Sequence, residues 1–246
     1  MRLDPLPPFS QAALLLDMDG TLIDIAPTPD AVVVPRGVTE TLHRLRDRLG
    51  GAIAIVTGRT ADVVDRLLGD RAFAVGAEHG GTVRRLPGAP LERADEHLTP
   101  PPDTWIAAAR RLVDAHPGAL MERKALGFTV HYRAVPEAGP LFRDALSAML
   151  AGSPTFELLA GKLVWEVRPH GVDKGTAVRA LMAGPPFAGR LPLFIGDDVT
   201  DEDGMRVARA MGGAGLQVAP AFGSAGGVRA WLKAAAERGD WPELPS

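Results

Sequence analysis

Two clusters of aspartates have the residue types and spacing that divalent-metal chemistry needs. Each cluster directly follows a short apolar run. The members are Asp17 and Asp19 in the first cluster and Asp197, Asp198 and Asp201 in the second. A lone aspartate at such a place is more often a helix N-cap. Several carboxylates in one crevice repel each other and lose solvation, however, and a hard cation that takes oxygen ligands relieves both effects. The clusters therefore predict a magnesium site.

The first cluster also has the spacing for nucleophilic and acid–base chemistry. Gly20 follows Asp19 and can bend the chain, so that Asp17 and Asp19 occupy different sides of one reacting phosphorus. One carboxylate can then attack while the other handles the proton of the leaving group. Thr57 and Gly58 follow a second apolar run. We expect a helix to begin there, with their N–H groups and the Thr57 hydroxyl holding phosphate oxygens.

Lys174 is a third element of this chemistry. It opens a predicted helix with Gly175 and Thr176. Taken alone, it is better interpreted as a solvated surface lysine. Together with the aspartate clusters, it can balance the charge of the nucleophile and the phosphate.

The residues around these clusters alternate between short buried strands and amphipathic helices, which is typical of a doubly wound parallel sheet. The predicted strands cover 14–16, 52–56, 73–75, 193–195 and 215–218, and the predicted helices cover 38–49, 63–68, 174–182, 201–211 and 228–236. The two aspartate clusters and the Thr57-Gly58 pair fall at the carboxyl ends of predicted strands, where α/β sheets bind ligands.

The middle of the chain follows a different pattern. A proline-rich linker at 96–103 precedes a helix at 105–115, paired apolar runs at 120–124 and 128–133, a helix at 141–150, and runs at 155–159 and 163–167 around the turn Gly161-Lys162. This pattern predicts an α+β insert with an antiparallel sheet. We therefore expect an α/β fold with a catalytic core over 1–98 and 170–246 and a specificity-determining cap domain over 99–169.

Composition excludes several function classes. The chain has 246 residues, no cysteine and a formal net charge of −3. These values exclude disulfides and thiolate zinc sites and give no basic excess for nucleic-acid binding. No apolar run approaches the roughly 18 residues of a membrane span, and the N-terminus does not resemble a signal peptide. We expect a cytoplasmic monomer without nucleic-acid or membrane partners.

The motifs resemble those of haloacid dehalogenase superfamily phosphatases. Asp17-Met18-Asp19-Gly20-Thr21-Leu22 is similar to the first motif of that superfamily; Thr57, Lys174 and Gly196-Asp197-Asp198…Asp201 are similar to the others, in order. The resemblance implies that Asp17 is the nucleophile and forms an aspartyl-phosphate. It implies that Asp19 is the general acid/base and a Mg²⁺ ligand through its backbone carbonyl, and that Thr57 and Lys174 hold the phosphoryl group. Asp197 would complete the metal shell, with Asp198 and Asp201 ligating directly or through water.

Other segments resemble the trehalose-6-phosphate phosphatases within that superfamily. The similar segments are 19–35, Glu78-His79-Gly80, Glu122-Arg123-Lys124, His131-Tyr132-Arg133, and Gly161-Lys162 leading to Glu166-Val167-Arg168-Pro169. The family usually has Ser where this chain has Thr57, and both residues carry the hydroxyl. The resemblance implies magnesium-dependent hydrolysis of trehalose 6-phosphate to trehalose and phosphate. The implied substrate-binding residues are Gly20, Gly58, Arg59, His79, Glu122, Lys124, His131, Arg133, Lys162, Glu166 and Arg168.

Alternatives remain open at this point. Charged groups such as Glu122, Lys124 and Glu166 suit sugar hydroxyls, but they could equally form a surface ion-pair array on a small sheet. His79 could hold its own turn, and His131 could be structural. The substrate could be another sugar phosphate, such as sucrose 6-phosphate or a glycosyl-phosphoglycerate. A mutase-type transfer or a non-catalytic sugar-phosphate sensor is a more distant alternative.

Overall fold

The chain divides into two compact units. The structure is a computed structural model that describes residues 4–26, 31–69 and 71–245. One unit comprises Met1–Asp95 and Asp173–Ser246, and the other comprises Glu96–Val172. The expected domain boundaries at 98/99 and 169/170 lie close to the two points where the chain passes between these units, 95/96 and 172/173. The stretch 27–30, part of the segment that resembles the phosphatase family, lies outside the described residues.

The described residues form eleven strands and eight α-helices. The strands are β1 (Ala12–Leu16), β2 (Ile53–Val56), β3 (Ala74–Ala77), β4 (Thr82–Arg84), β5 (Glu92–Arg93), β6 (Leu120–Arg123), β7 (Phe128–His131), β8 (Phe156–Gly161), β9 (Val164–Pro169), β10 (Leu191–Gly196) and β11 (Ala214–Gln217). The helices are α1 (Val38–Arg48), α2 (Ala61–Leu68), α3 (Asp103–Asp114), α4 (Gly139–Leu150), α5 (Lys174–Met182), α6 (Asp201–Ala210), α7 (Val218–Phe222) and α8 (Ala225–Arg238).

The first unit is built on a seven-stranded sheet in the order β11-β10-β1-β2-β3-β4-β5. The strands from β11 to β3 are parallel, whereas β4 and β5 are antiparallel. β1 is entirely apolar because it is covered on both faces. It lies between β10 and β2, so the residues after β1, β2 and β10 meet at one edge of the sheet.

Helices cover both faces of this sheet. Leu14 and Leu16 of β1 pack into the cluster that contains the apolar residues of α1, α2, α7 and α8. Ala13 and Leu15 point to the opposite face and pack against the apolar residues of α5 and α6. The predicted doubly wound α/β core is confirmed.

The second unit has a four-stranded antiparallel sheet in the order β6-β7-β9-β8. One face carries Phe128, Val130 and Val167, which pack with Ile106 of α3 and Phe142 of α4. Side chains alternate along a strand, so the residues between them point to the other face. This unit has the antiparallel α+β arrangement that the sequence predicts for the insert.

Three details differ from the predicted elements. β4 and β5, which extend the core sheet in the antiparallel sense, are not among the predicted strands. Val218 was expected in a strand, whereas β11 ends at Gln217 and Val218 begins the short helix α7. β5 is two exposed residues long, so it has no apolar alternation that could reveal it.

Within the described residues, no helix combines the length and the apolar composition that crossing a membrane requires.

Candidate active site

The centre of the first unit is a buried cluster of two carboxylates and one ammonium group. Asp17 directly follows β1, Lys174 is the first residue of α5, and Asp201 is the first residue of α6. Lys174 Nζ donates to Asp17 Oδ1 and to Asp201 Oδ1, both at 2.6 Å. The three residues are 3%, 3% and 0% exposed. Distant parts of the chain therefore meet at the nucleophile that the sequence predicts, and Lys174 is not a solvated surface residue.

The electrostatics of this cluster favour a further positive charge. Burial raises the pKa of Asp17 to about 6 against the opposing effect of Lys174. Burial and the charge of Asp17 raise the pKa of Asp201 to about 7, although Lys174 opposes this as well. Burial also works against the Lys174 ammonium, but Asp17 and Asp201 outweigh it and raise the pKa of Lys174. One lysine thus leaves the carboxylates incompletely compensated.

Asp197 adds a third carboxylate to this group. Oxygens of Asp17, Asp197 and Asp201 lie within 4.8 Å of one another. Burial, followed by the charges of Asp198 and Asp201, raises the pKa of Asp197. A compact set of carboxylate oxygens with excess negative charge fits a hard cation such as Mg²⁺. The donor chemistry is therefore compatible with the metal expected from the sequence.

Asp198 and Asp201 also organise the loop that carries Asp197. Asp201 Oδ2 accepts the N–H groups of Asp197 and Asp198, at 3.0 and 3.1 Å. Asp198 Oδ1 accepts the N–H and the hydroxyl of Thr200, at 2.8 and 2.7 Å. Burial would raise the pKa of Asp198, but these Thr200 bonds and Lys174 lower it. Asp198 is exposed and does not belong to the three-carboxylate group, so a ligand role for Asp198 stays a prediction.

Gly20 is required by the packing of the first cluster against the second. It has a φ of +79°, and a Cβ there would lie 2.1 Å from Asp197 Oδ2. No side chain fits that space without displacing the Asp197 carboxylate. The glycine after Asp19 therefore both bends the chain and brings the two predicted clusters into contact.

Asp19 does not join the buried cluster through its side chain but pairs with Arg59. Arg59 Nε donates to Asp19 Oδ2 at 2.6 Å, and Arg59 Nη2 donates to Asp19 Oδ1 at 2.7 Å. The pair is bidentate and partly exposed. The predicted acid/base residue is thus oriented by a residue that the sequence analysis placed among the substrate contacts.

The environment of Thr57 corrects one expectation. α2 begins at Ala61, not at Thr57, and the Thr57 N–H donates to the Gly76 carbonyl at 2.8 Å. This N–H is therefore part of the β2–β3 ladder and is not available to hold phosphate. The buried Thr57 Oγ1 accepts the Arg59 N–H at 3.2 Å, and its O–H remains a donor. The hydroxyl is thus the part of Thr57 that can contact a ligand.

His79 packs directly on Gly58. A Cβ at Gly58 would lie 2.3 Å from His79 Nε2, so only glycine allows this contact. Glu78 and His79 have φ values of 54° and 56°, which are unusual for non-glycine residues. The His79 N–H donates to the Thr57 carbonyl at 3.0 Å. The turn after β3 is therefore fixed against the Thr57-Gly58 segment.

The second unit brings its predicted site residues together as pairs on one face of its sheet. Lys124 Nζ donates to Glu166 Oε1 at 2.5 Å, and this pair is largely buried. His131 Nε2 lies 3.3 Å from Glu122 Oε2. Arg168 Nε donates to Glu157 Oε1 at 2.9 Å. These pairs lie opposite the apolar face that packs on α3 and α4.

Two predicted site residues lie apart from these pairs, and one residue of the face was missed. Arg133 follows β7 and Lys162 lies in the β8–β9 turn, and both are exposed. Thr129 was not singled out from the sequence, yet the strand register places it between Glu122 and Glu166. The signal was present, because Thr129 and His131 are two residues apart on one strand and so share a face.

Comparison with known proteins identifies the family. The trehalose-phosphatase family model matches residues 15–230. The chain belongs to the trehalose-phosphatase family. The resemblance seen in the sequence motifs is confirmed, and with it the expectation of a phosphoric monoester hydrolase.

Individual relatives agree with this assignment. The chain is 37% identical over 217 residues to a probable trehalose-phosphate phosphatase of Sinorhizobium fredii, covering 85% of this chain and 78% of the relative. It is 33% identical over 210 residues to the trehalose-6-phosphate phosphatase of Escherichia coli, covering 84% and 77%. The C-terminal domain of the Candida albicans trehalose-6-phosphate phosphatase superimposes with a TM-score of 0.70 at 22% identity, covering 93% of each chain. That likeness supports the fold.

Proposed function

We propose that this phosphatase hydrolyses trehalose 6-phosphate to trehalose and phosphate, with Asp17 as the nucleophile, in the biosynthesis of trehalose. The observation that carries the proposal is the buried Asp17–Lys174 pair at the carboxyl end of β1, in a chain of this family. The names of the related phosphatases support the choice of substrate.

Asp17 and Asp19 divide the proposed chemistry. Asp17 attacks the phosphorus, and the bond between phosphorus and the sugar oxygen breaks as the aspartyl-phosphate forms. Asp19, once it is protonated and released from its pair with Arg59, gives that proton to the departing oxygen. Asp19 then takes a proton from a water that attacks the phosphorus, and phosphate leaves with regeneration of the Asp17 carboxylate. Lys174 stabilises the charge of Asp17, and the Thr57 hydroxyl donates to a phosphoryl oxygen.

The proposed cofactor is Mg²⁺. The side chains of Asp17 and Asp197 and the backbone carbonyl of Asp19 would hold it, with Asp198 and Asp201 beside them. When bound, Mg²⁺ neutralises charge on the phosphoryl oxygens and helps to orient the phosphoryl group. Asp201 also fixes the Asp197 loop through two backbone N–H groups, so it contributes whether or not it ligates directly.

The charged face of the second unit is the proposed sugar-binding surface. Its carboxylates accept hydrogen bonds from sugar hydroxyls, and its cations donate to their oxygens. The proposed sugar contacts of the second unit are Glu122, Lys124, His131, Arg133, Lys162, Glu166 and Arg168, and those of the first unit are Gly20, Gly58, Arg59 and His79. A surface that hydrogen-bonds each hydroxyl discriminates strongly, because a wrong sugar leaves polar groups unpaired.

A substrate panel tests this function. Phosphate release is measured with Mg²⁺ on trehalose 6-phosphate, sucrose 6-phosphate, glucosyl-phosphoglycerate and glucose 6-phosphate. We expect the highest kcat/KM for trehalose 6-phosphate. Asp17→Asn should remain folded and lose essentially all turnover, because an amide is a poor nucleophile. A higher kcat/KM on another sugar phosphate, or near-normal turnover by Asp17→Asn, would contradict the proposal.

A further inference from the structure

The charged face of the second unit contains a buried hydroxyl that has no partner among the residues that the structure describes. Thr129 is 4% exposed. Its Oγ1 is shielded from solvent and forms no hydrogen bond with any residue of the described parts of the chain. Buried polar groups are nearly always hydrogen-bonded, since burial costs them their bonds to water. The absence of a hydrogen-bond partner for this oxygen within the described residues therefore needs a physical reason.

The position of Thr129 supplies this reason. On the central strand β7, it is paired with Glu122 of β6 on one side and with Glu166 of β9 on the other. Directly opposed residues of antiparallel strands have their Cβ atoms about 5 Å apart. The hydroxyl thus lies in the middle of a polar row, with the Glu122–His131 pair at one end and the Glu166–Lys124 pair at the other.

Stability does not explain a threonine at this position. Valine has nearly the same shape, favours strands equally well and carries no polar atom to bury. Phe128 and Val130, the neighbours of Thr129 on β7, point to the opposite face and pack in the apolar core. A hydroxyl kept at a cost among charged residues is what a ligand-binding position would show.

We propose that Thr129 determines specificity by hydrogen-bonding a hydroxyl of the sugar, with the side chains that shield its Oγ1 moving aside when the sugar binds. This inference rests on the proposed function and adds a contact at the centre of its sugar-binding surface. The Glu122 and Glu166 carboxylates accept, whereas the Lys124 ammonium donates. The Thr129 hydroxyl does both, so it can donate a hydrogen bond to a sugar hydroxyl or accept one from it, depending on which role the neighbouring charged groups do not fill.

The test uses Thr129→Val, which removes the hydroxyl and retains the shape. On the sugar phosphate that the wild type hydrolyses fastest, we expect kcat/KM to fall about tenfold, the value of one neutral hydrogen bond. Hydrolysis of a small aryl phosphate should be unchanged, because that substrate has no sugar to bind. The melting temperature should be equal to or higher than that of the wild type, since a buried unpaired group is removed.

Two further variants are matched controls. Thr129→Ser keeps the hydroxyl and should retain most of the activity on the sugar phosphate. Thr82→Val removes another buried threonine hydroxyl without a described partner, at a position in β4 of the first unit. It should leave the ratio of sugar-phosphate to aryl-phosphate hydrolysis unchanged.

The proposal is overturned if Thr129→Val leaves kcat/KM on the sugar phosphate unchanged or reduces kcat/KM equally on the sugar phosphate and the aryl phosphate. It is also overturned if the variant lowers the melting temperature markedly. The last result would mean that the hydroxyl has a structural partner. The wild-type substrate panel decides the proposed function separately. A preference for another sugar phosphate would refute that function. The Thr129 contact would still be tested by the ratio of the kcat/KM of Thr129→Val to that of the wild type on the preferred substrate.

Discussion

Replacing Lys174 by Met tests the electrostatic core of the site. The Lys174 ammonium donates to Asp17 and to Asp201, at 2.6 Å each, and all three residues are buried. Removing one partner of a buried ion pair costs about 3–5 kcal/mol, because the remaining charge has no compensation. That is a large part of the roughly 5–15 kcal/mol by which domains are stable. We therefore expect a loss of about 3 kcal/mol or more at pH 8, together with loss of turnover.

The assay is urea unfolding with a chelator present, analysed by linear extrapolation. Without Lys174, the pKa values of the Asp17 and Asp201 carboxyls rise further above their unfolded values. The native variant then binds more protons than the unfolded chain, so its stability falls as the pH rises. The difference from the wild type should therefore grow between pH 6 and pH 8. Lys233→Met, which breaks an exposed pair with Glu237, should change the unfolding midpoint little at either pH. A Lys174→Met variant as stable as Lys233→Met at pH 8 would refute the reasoning.

Three further predictions concern the metal, the Gly20 contact and the sugar surface. Chelation should abolish phosphate release and Mg²⁺ should restore it, whereas Ca²⁺ should substitute badly because its larger, looser shell misplaces the reacting groups. Gly20→Ala should weaken Mg²⁺ binding in titration calorimetry, because its Cβ would lie 2.1 Å from Asp197 Oδ2. Glu166→Gln should lower kcat/KM on trehalose 6-phosphate about tenfold to a hundredfold through loss of charge-assisted hydrogen bonds, with little effect on an aryl phosphate.

Each of these predictions has a result that would contradict it, and the second has a matched control variant. Full activity of a metal-free sample would contradict the first. Gly37→Ala has a similar backbone strain, with a φ of +86°, and no described atom within 4 Å of its Cβ, so it should leave Mg²⁺ affinity unchanged. Equal affinities of the two alanine variants would contradict the second. An equal loss of kcat/KM by Glu166→Gln on trehalose 6-phosphate and on the aryl phosphate would contradict the third, because it would show that Glu166 supports the fold.

The sequence predicts the core fold because the strands that form it are buried on both faces. β1, β2 and β10 are continuous apolar runs that end in polar motifs, and parallel strands bring those motifs to one edge. β4, β5 and α7 are short, and their formation depends on neighbours that local patterns do not show.

Within the site, residue types could be predicted but several partners could not. The Thr57 N–H bonds to Gly76, a contact fixed by the pairing of β2 with β3. The bidentate Asp19–Arg59 pair depends equally on tertiary structure. The Thr129 hydroxyl, which has no partner in the described parts of the chain, can be recognised only when burial and strand register are both known.

The central claim is that Asp17 takes the phosphoryl group from trehalose 6-phosphate. The most direct test is acid quenching of the enzyme during turnover of trehalose 6-phosphate carrying a radioactive phosphate, followed by peptide mapping. We predict label on the peptide that contains Asp17, removal of that label by hydroxylamine as expected for an acyl phosphate, and no label in Asp17→Asn. Label on another residue, or full turnover by Asp17→Asn, would contradict the account.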